Sequence, residues 1–118
     1  MEPLARLLLR AEGLASSNVE GVHAPLVDVA IAEEVGGVGA ANHVADNLAI
    51  VSDALVHAAG SVPLTVDDLH RWHRRLMAHG TLPDRLVGAW RDGVGWIGGA
   101  SPAAAVFVAA PPTEISDL

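Results

Sequence analysis

Apolar residues along this chain recur at helical spacing for the first two thirds and in short strand-like runs thereafter. Leu4, Leu7, Leu8 and Ala11 repeat at i, i+3, i+4 and i+7 with Arg6, Arg10 and Glu12 on the other side, which predicts an amphipathic helix. Gly13 is expected to end or interrupt it. Val22 to Glu34 holds helical register through Leu26, Val29, Ala30 and Glu33, and Pro25 suits the first turn of that second helix. Gly36-Gly37-Val38-Gly39 then breaks the pattern. It lacks the Gly-Lys-Ser/Thr ending of a phosphate loop and lies between two helical segments rather than after a strand, so it reads as a flexible connection. Ala40 to Ala59 carries the clearest helical stripe, Val44, Leu48, Val51 and Leu55. Gly60 to Pro63 turns the chain, and Thr65 caps a fourth helix with Asp67 and Asp68 in its first turn, where the helix dipole favours acids. Leu69, Trp72, His73, Leu76 and Met77 form its predicted inner face, and Arg71, Arg74 and Arg75 lie toward its C-terminal end.

After Met77 the texture changes. Ala78 to Arg85 reads as loop, and Gly93, Gly95, Gly98 and Gly99 are too dense for a helix. Trp96-Ile97 and Val106-Phe107-Val108 are β-type runs around Gly98 to Pro102, the pattern of a hairpin. So small a hairpin is marginal alone. It is either an edge hairpin or a flap whose backbone pairs with an incoming extended peptide. Thr113 to Asp117 has the cap and early acids of a further helix. The chain stops at Leu118, where that helix should run, and so reads as part of a longer polypeptide. The expected fold is mainly α: N-terminal helices over 1–35, then 40–118 with the hairpin at about 94–108.

Composition narrows the function. Half of the 118 residues are hydrophobic but only 3% are aromatic, so the core must be built from Leu, Val and Ala. Fourteen acids against seven arginines and no lysine give a formal charge of −7, which argues against nucleic acid or an anionic membrane surface as partner. Five of the seven arginines fall between Arg71 and Arg91, leaving room for a local basic face. Without cysteine there is no disulfide framework and no thiolate metal site. No basic start with a long apolar run marks a signal peptide, and no stretch has the length of a membrane span. A soluble, cytoplasmic protein is expected.

Candidate chemistry is sparse. His70 and His73 stand at i and i+3, but no third ligand is fixed near them: Asp67 and His79 are unconstrained. They read as core or surface histidines, and no metal site is expected. No Ser-His-Asp arrangement is fixed either. The most suggestive stretch is Ser16-Ser17-Asn18-Val19-Glu20-Gly21. It sets a hydroxyl and a carboxylate four residues apart, one above the other on a helix, and closes with a glycine suited to the left-handed end of a helical turn. An outward glutamate fixed there is placed to grip an arginine. The alternative is a capping box, with Ser17 and Glu20 satisfying backbone donors.

Ser16-x-x-x-Glu20-Gly21 resembles the inhibitory motif, (Ser/Thr)-x-x-x-Glu-(Gly/Asn), of Fic-domain proteins. Asp46-Asn47-Leu48 is similar to that family's asparagine-bearing helix, and Leu69-His70 followed by Leu76 to its Leu-His-x-x-Leu helix. Gly88-Ala89-Trp90-Arg91, Trp96-Ile97-Gly98-Gly99-Ala100-Ser101-Pro102, Phe107-Val108 and Pro111-Pro112 resemble the segment running through its active-site flap. The family signature, His-x-Phe-x-(Asp/Glu)-Gly-Asn-Gly-Arg, is not among the 118 residues.

The resemblance implies a nucleotidyltransferase family that moves AMP from ATP onto a protein hydroxyl (AMPylation) with Mg2+, in a mainly helical fold. On that pattern no catalytic residue lies in this chain, and ATP and Mg2+ would belong to the complete protein. Glu20 would be the self-inhibitory residue, oriented by Ser16 and followed by Gly21, pairing with the second arginine of the signature. Its position ahead of the core implies the class inhibited by its own N-terminal helix. Trp96, Ile97, Gly98, Gly99, Val106, Phe107 and Val108 would form the flap, docking a protein target. Expected partners are that target, the remainder of a Fic core or a separate Fic subunit, and a second copy against any exposed apolar seam. Two other readings compete: an antitoxin-like subunit presenting Glu20 to a separate enzyme, and a small helical interaction domain.

Overall fold

A computed structural model describes residues 3–117. Four α-helices come first: α1 (Pro3–Val19), α2 (Leu26–Val35), α3 (Gly39–Ala59) and α4 (Val66–Met77). Single 3₁₀ segments at Asp84–Leu86, Pro102–Ala104 and Pro112–Asp117 punctuate the rest, with one antiparallel pair, β1 (Trp96–Ile97) and β2 (Phe107–Val108). The fold is thus mainly α with a small hairpin, as the periodicity predicts. No helix among the described residues is long and apolar enough to cross a membrane.

The core lies where α1 and α2 meet the first half of α3. Val29, Val44 and Leu48 are buried there, with Leu9, Leu14, Val22, Ala24 and Ala41 packed around them. Complete burial of side chains this size contributes about 2 kcal/mol each. The core is therefore small, and its helices compensate by approaching closely. Gly13 does not end α1 but sits buried within it, facing Leu48. A Cβ at Gly13 would stand 2.4 Å from Leu48 Cδ2 and 3.1 Å from its Cγ, so the missing side chain is what lets α1 cross α3.

Several faces differ from the pattern reading. In α1 the covered side is Leu9, Gly13, Leu14 and Ser17, while the leucine stripe Leu4, Leu7, Leu8 remains exposed. The second helix begins at Leu26, and Pro25 is its N-terminal cap residue with extended backbone rather than part of its first turn. On α3 the predicted stripe is buried at Val44 and Leu48, but Val51 is 36% and Leu55 53% exposed, because α1 and α2 cover only the first half of that helix. On α4, Leu69 is exposed and the buried residue is Asp68. Thr113 to Asp117 forms the 3₁₀ segment from Pro112 rather than the start of an α-helix.

The chain is extended for its size. Its radius of gyration is 16.9 Å, against about 13.5 Å for a compact domain of this length.

Gly13→Ala is expected to lower stability by about 1 kcal/mol. Helix propensity favours alanine by nearly that much, but overpacking Leu48 costs about 1–3 kcal/mol. Urea unfolding followed by circular dichroism measures the difference; a stabilised variant would show that the α1–α3 contact yields freely.

Candidate functional site

The Ser16–Gly21 hexamer forms the C-terminal end of α1. Gly21 takes the left-handed conformation (φ 80°). Its N–H donates to Asn18 O (3.1 Å), and the Val22 N–H donates to Ser17 O (2.9 Å). This paired arrangement is the Schellman motif, which satisfies carbonyls that a helix end leaves free. Val22 then reaches the core, which fixes the direction in which the chain leaves. His23 Nδ1 lies 2.8 Å from Asn18 Oδ1 across the same turn. Because the hexamer ends a helix instead of starting one, Ser17 and Glu20 do not form a capping box. A capping box does join Thr65 and Asp68 at the start of α4.

Ser16 and Glu20 are both exposed, and Glu20 joins no ion pair among the described residues. A carboxylate at this end of a helix faces the negative pole of the dipole, an unfavourable placement by about 0.3–1 kcal/mol. Stability of α1 therefore does not explain Glu20.

The hairpin is the second predicted element. Trp96 pairs with Val108 and Ile97 with Phe107. The Val106 N–H donates to Ile97 O (3.0 Å) and the Ala109 N–H to Gly95 O (2.9 Å). Gly98 and Gly99 have positive φ (73° and 76°), and a Cβ at Gly99 would fall 2.2 Å from Ala104 O. This sharp turn needs glycine. With only two strands, both outer edges keep unpaired backbone groups. Ile97, Phe107 and Val108 are exposed, and Val106 is 91% exposed.

What holds the hairpin is polar. Arg91 donates to Gly93 O (2.7 Å) and to Ala110 O, closing the base of the hairpin. The segment before it is clamped to α4. The Gly88 N–H donates to His73 Nδ1 (2.8 Å), Arg74 Nη1 donates to Gly88 O (3.4 Å), and the Trp90 ring meets His70 edge-on at 5.0 Å. With Nδ1 accepting, His73 carries its proton on Nε2 when neutral. His70 and His73 thus serve the approach to the hairpin, and no group of three or more metal-type ligands occurs among the described residues. Gly88, Trp90 and Arg91, three of the motif residues, are the anchoring points.

A charge network that the sequence reading did not assemble joins α3 to α4. Asp68 accepts from the Thr65 hydroxyl (2.7 Å), the Thr65 N–H (3.0 Å) and Arg71 Nη1 (2.7 Å). Asp53 on α3 accepts from Trp72 Nε1 (2.6 Å) and Arg71 Nη2 (3.1 Å). His57 Nε2 lies 3.6 Å from Asp68. The Thr65 hydroxyl and N–H, then Arg71, hold the Asp68 carboxyl far below the usual carboxylate range, and the Trp72 indole and Arg71 lower Asp53. The same two carboxylates raise Arg71. The hydrogen bonds of Asp53 and Asp68 tie α3 to α4, while His57 Nδ1 is buried beside them without a hydrogen-bond partner among the described residues. Thr65-x-x-Asp68 was the legible part of this network; Asp53, His57 and Trp72 join only once α3 and α4 pack.

No protein-family model matches the chain, and no curated protein matches it.

Two outcomes are expected. Stability should be flat above the unfolded-state carboxyl pKa of about 4 and fall as acid protonates Asp68 and Asp53. Asp68→Asn should flatten that acid limb, read as the urea midpoint against pH; an unchanged limb would remove the network from the account of α3–α4 packing. Gly21→Ala should cost about 1 kcal/mol from backbone strain alone, since no atom lies within 4 Å of a Cβ placed there. Gly21→Asn should cost less.

Proposed function

We propose that this chain is the regulatory and target-docking part of a Fic-type protein AMP-transferase. The observation that carries the reading is Glu20: an exposed carboxylate without an ion-pair partner among the described residues, at a glycine-closed helix end where the dipole disfavours it. On the family pattern its partner is the second arginine of the signature, on a segment outside these 118 residues. Pairing with that arginine would keep ATP from a productive pose. Phosphoryl-type transfer depends almost wholly on positioning and charge stabilisation, so occupying one arginine suffices to stop it.

The hairpin supports the same reading. Its free edges and exposed Ile97, Val106, Phe107 and Val108 suit strand addition by an extended target segment. A chain that only inhibits has no use for such a hairpin, which favours this reading over an antitoxin-like subunit. ATP and Mg2+ would be held by the signature residues, and none of the groups described above is assigned to them.

The test is AMP transfer in a protein that joins this chain to the signature. Glu20→Gly should raise transfer, and by orders of magnitude if the joined protein buries the Glu20–arginine pair, where such a pair is worth about 3–5 kcal/mol. Equal or lower transfer in that variant, with its fold intact by circular dichroism, would remove the inhibitory role of Glu20.

A further inference from the structure

A cleft of about 420 Å³ opens where α1, α2 and α3 converge, and α4 adds Arg75 to its wall. That volume falls in the range of small-molecule sites. Leu9, Ala45 and Ala49 give the cleft an apolar surface. Arg6, Arg10, Arg75, Glu33, Glu34 and Asp46 line it with as many positive as negative groups. In a chain of net charge −7 that balance is local.

Four of these charges answer one another. Arg10 Nε donates to Glu33 across α1 and α2, and Arg75 Nε donates to Asp46 (3.0 Å) across α4 and α3. Asn42 Nδ2 also donates to Asp46 (3.3 Å), while Asn42 Oδ1 accepts from the Gly37 N–H (3.2 Å). The Arg10 and Glu33 side chains are each only 20% exposed, and that of Asp46 18%. Ion pairs so far withdrawn from water gain little stability over apolar residues of similar size. Packing alone therefore does not account for them. Arg6 and Glu34 are exposed and join no ion pair among the described residues. The cleft thus keeps one cation on α1 and one anion on α2 open to a ligand.

We propose that this cleft binds a small zwitterion, of the class of a free α-amino acid with an apolar side chain. The ligand's carboxylate meets Arg6, its ammonium meets Glu34, and its side chain lies on Leu9, Ala45 and Ala49. A ligand with a single charge leaves Arg6 or Glu34 unanswered, and that loss is the basis of discrimination. Net charge acts the same way, because a chain at −7 repels a free anion but not a molecule neutral overall. None of this depends on the Fic reading.

Calorimetric titration of the 118-residue chain with L-leucine tests the proposal. Leucine should bind one to one. Isocaproate and isoamylamine, which keep its side chain and one charge each, should bind about tenfold more weakly. Arg6→Gln should abolish the preference for leucine over the amine, and Glu34→Gln the preference for leucine over the acid. Val106→Ala, on the hairpin, should leave binding unchanged. Absence of leucine binding overturns the proposal, as does equal binding of both analogues or a preference that neither variant alters. Should a variant fail to fold, amide chemical shifts of the parent chain decide. Leucine should move those of Ala45 and Ala49, and shifts confined to other segments overturn the site.

Discussion

The close crossing of α1 over α3 at Gly13 and Leu48 is the contact on which the rest of this molecule depends. With a core of Val29, Val44, Leu48 and a few alanines, there is little apolar volume to hold three helices. Dispersion is gained only at short range, and the glycine removes the one side chain that would hold the helices apart. The crossing also sets where α1 ends. Ser17 is buried one turn beyond Gly13, and Val22 returns to the core just after the left-handed glycine. The position of Glu20 is therefore fixed by packing on either side of it, although its own side chain faces solvent.

The other half of the chain is held by a different kind of force. Asp53, Asp68, Arg71, Trp72 and Thr65 join α3 to α4 through hydrogen bonds and ion pairs, and His70, His73 and Arg74 hold the approach to the hairpin. Such contacts contribute modestly because they replace contacts with water, but they are directional. A hairpin held by them keeps a defined orientation while its apolar side chains stay uncovered. The helical core supplies stability, and the polar joints supply placement.

That division explains what could be read from the sequence. Helices announce themselves by period, so α2, α3 and α4 were legible almost to their ends, and glycine density marked the hairpin. The Ser16–Gly21 stretch was legible as a glycine-closed turn because φ > 0 has a residue signature. Which face of a helix is buried was not legible. The leucines of α1 predict an amphipathic helix, yet the buried side is Leu9, Gly13, Leu14 and Ser17, because burial depends on what packs opposite. Gly13 looked like a helix end for a related reason. Its value lies in an atom it lacks opposite Leu48, thirty-five residues away in the chain. The Asp53–Arg71–Asp68 network was hidden likewise, since its members come from two helices whose relative rotation no local pattern encodes.

One helix thus carries two exposed features with different chemistry, and their geometry makes them compatible. Leu8 and Glu20 are twelve residues apart, which at 1.5 Å per residue is about 18 Å along the axis of α1, and at 3.6 residues per turn about a third of a turn around it. The carboxylate just past the last turn and the leucines on the first turns are both exposed. Packing at Gly13 fixes both, because the same crossing that buries Leu9 and Leu14 turns Leu4 and Leu8 outward and sends the end of α1 past α3. A small core covers only one side of its first two helices and leaves the leucines and valines of their other side exposed.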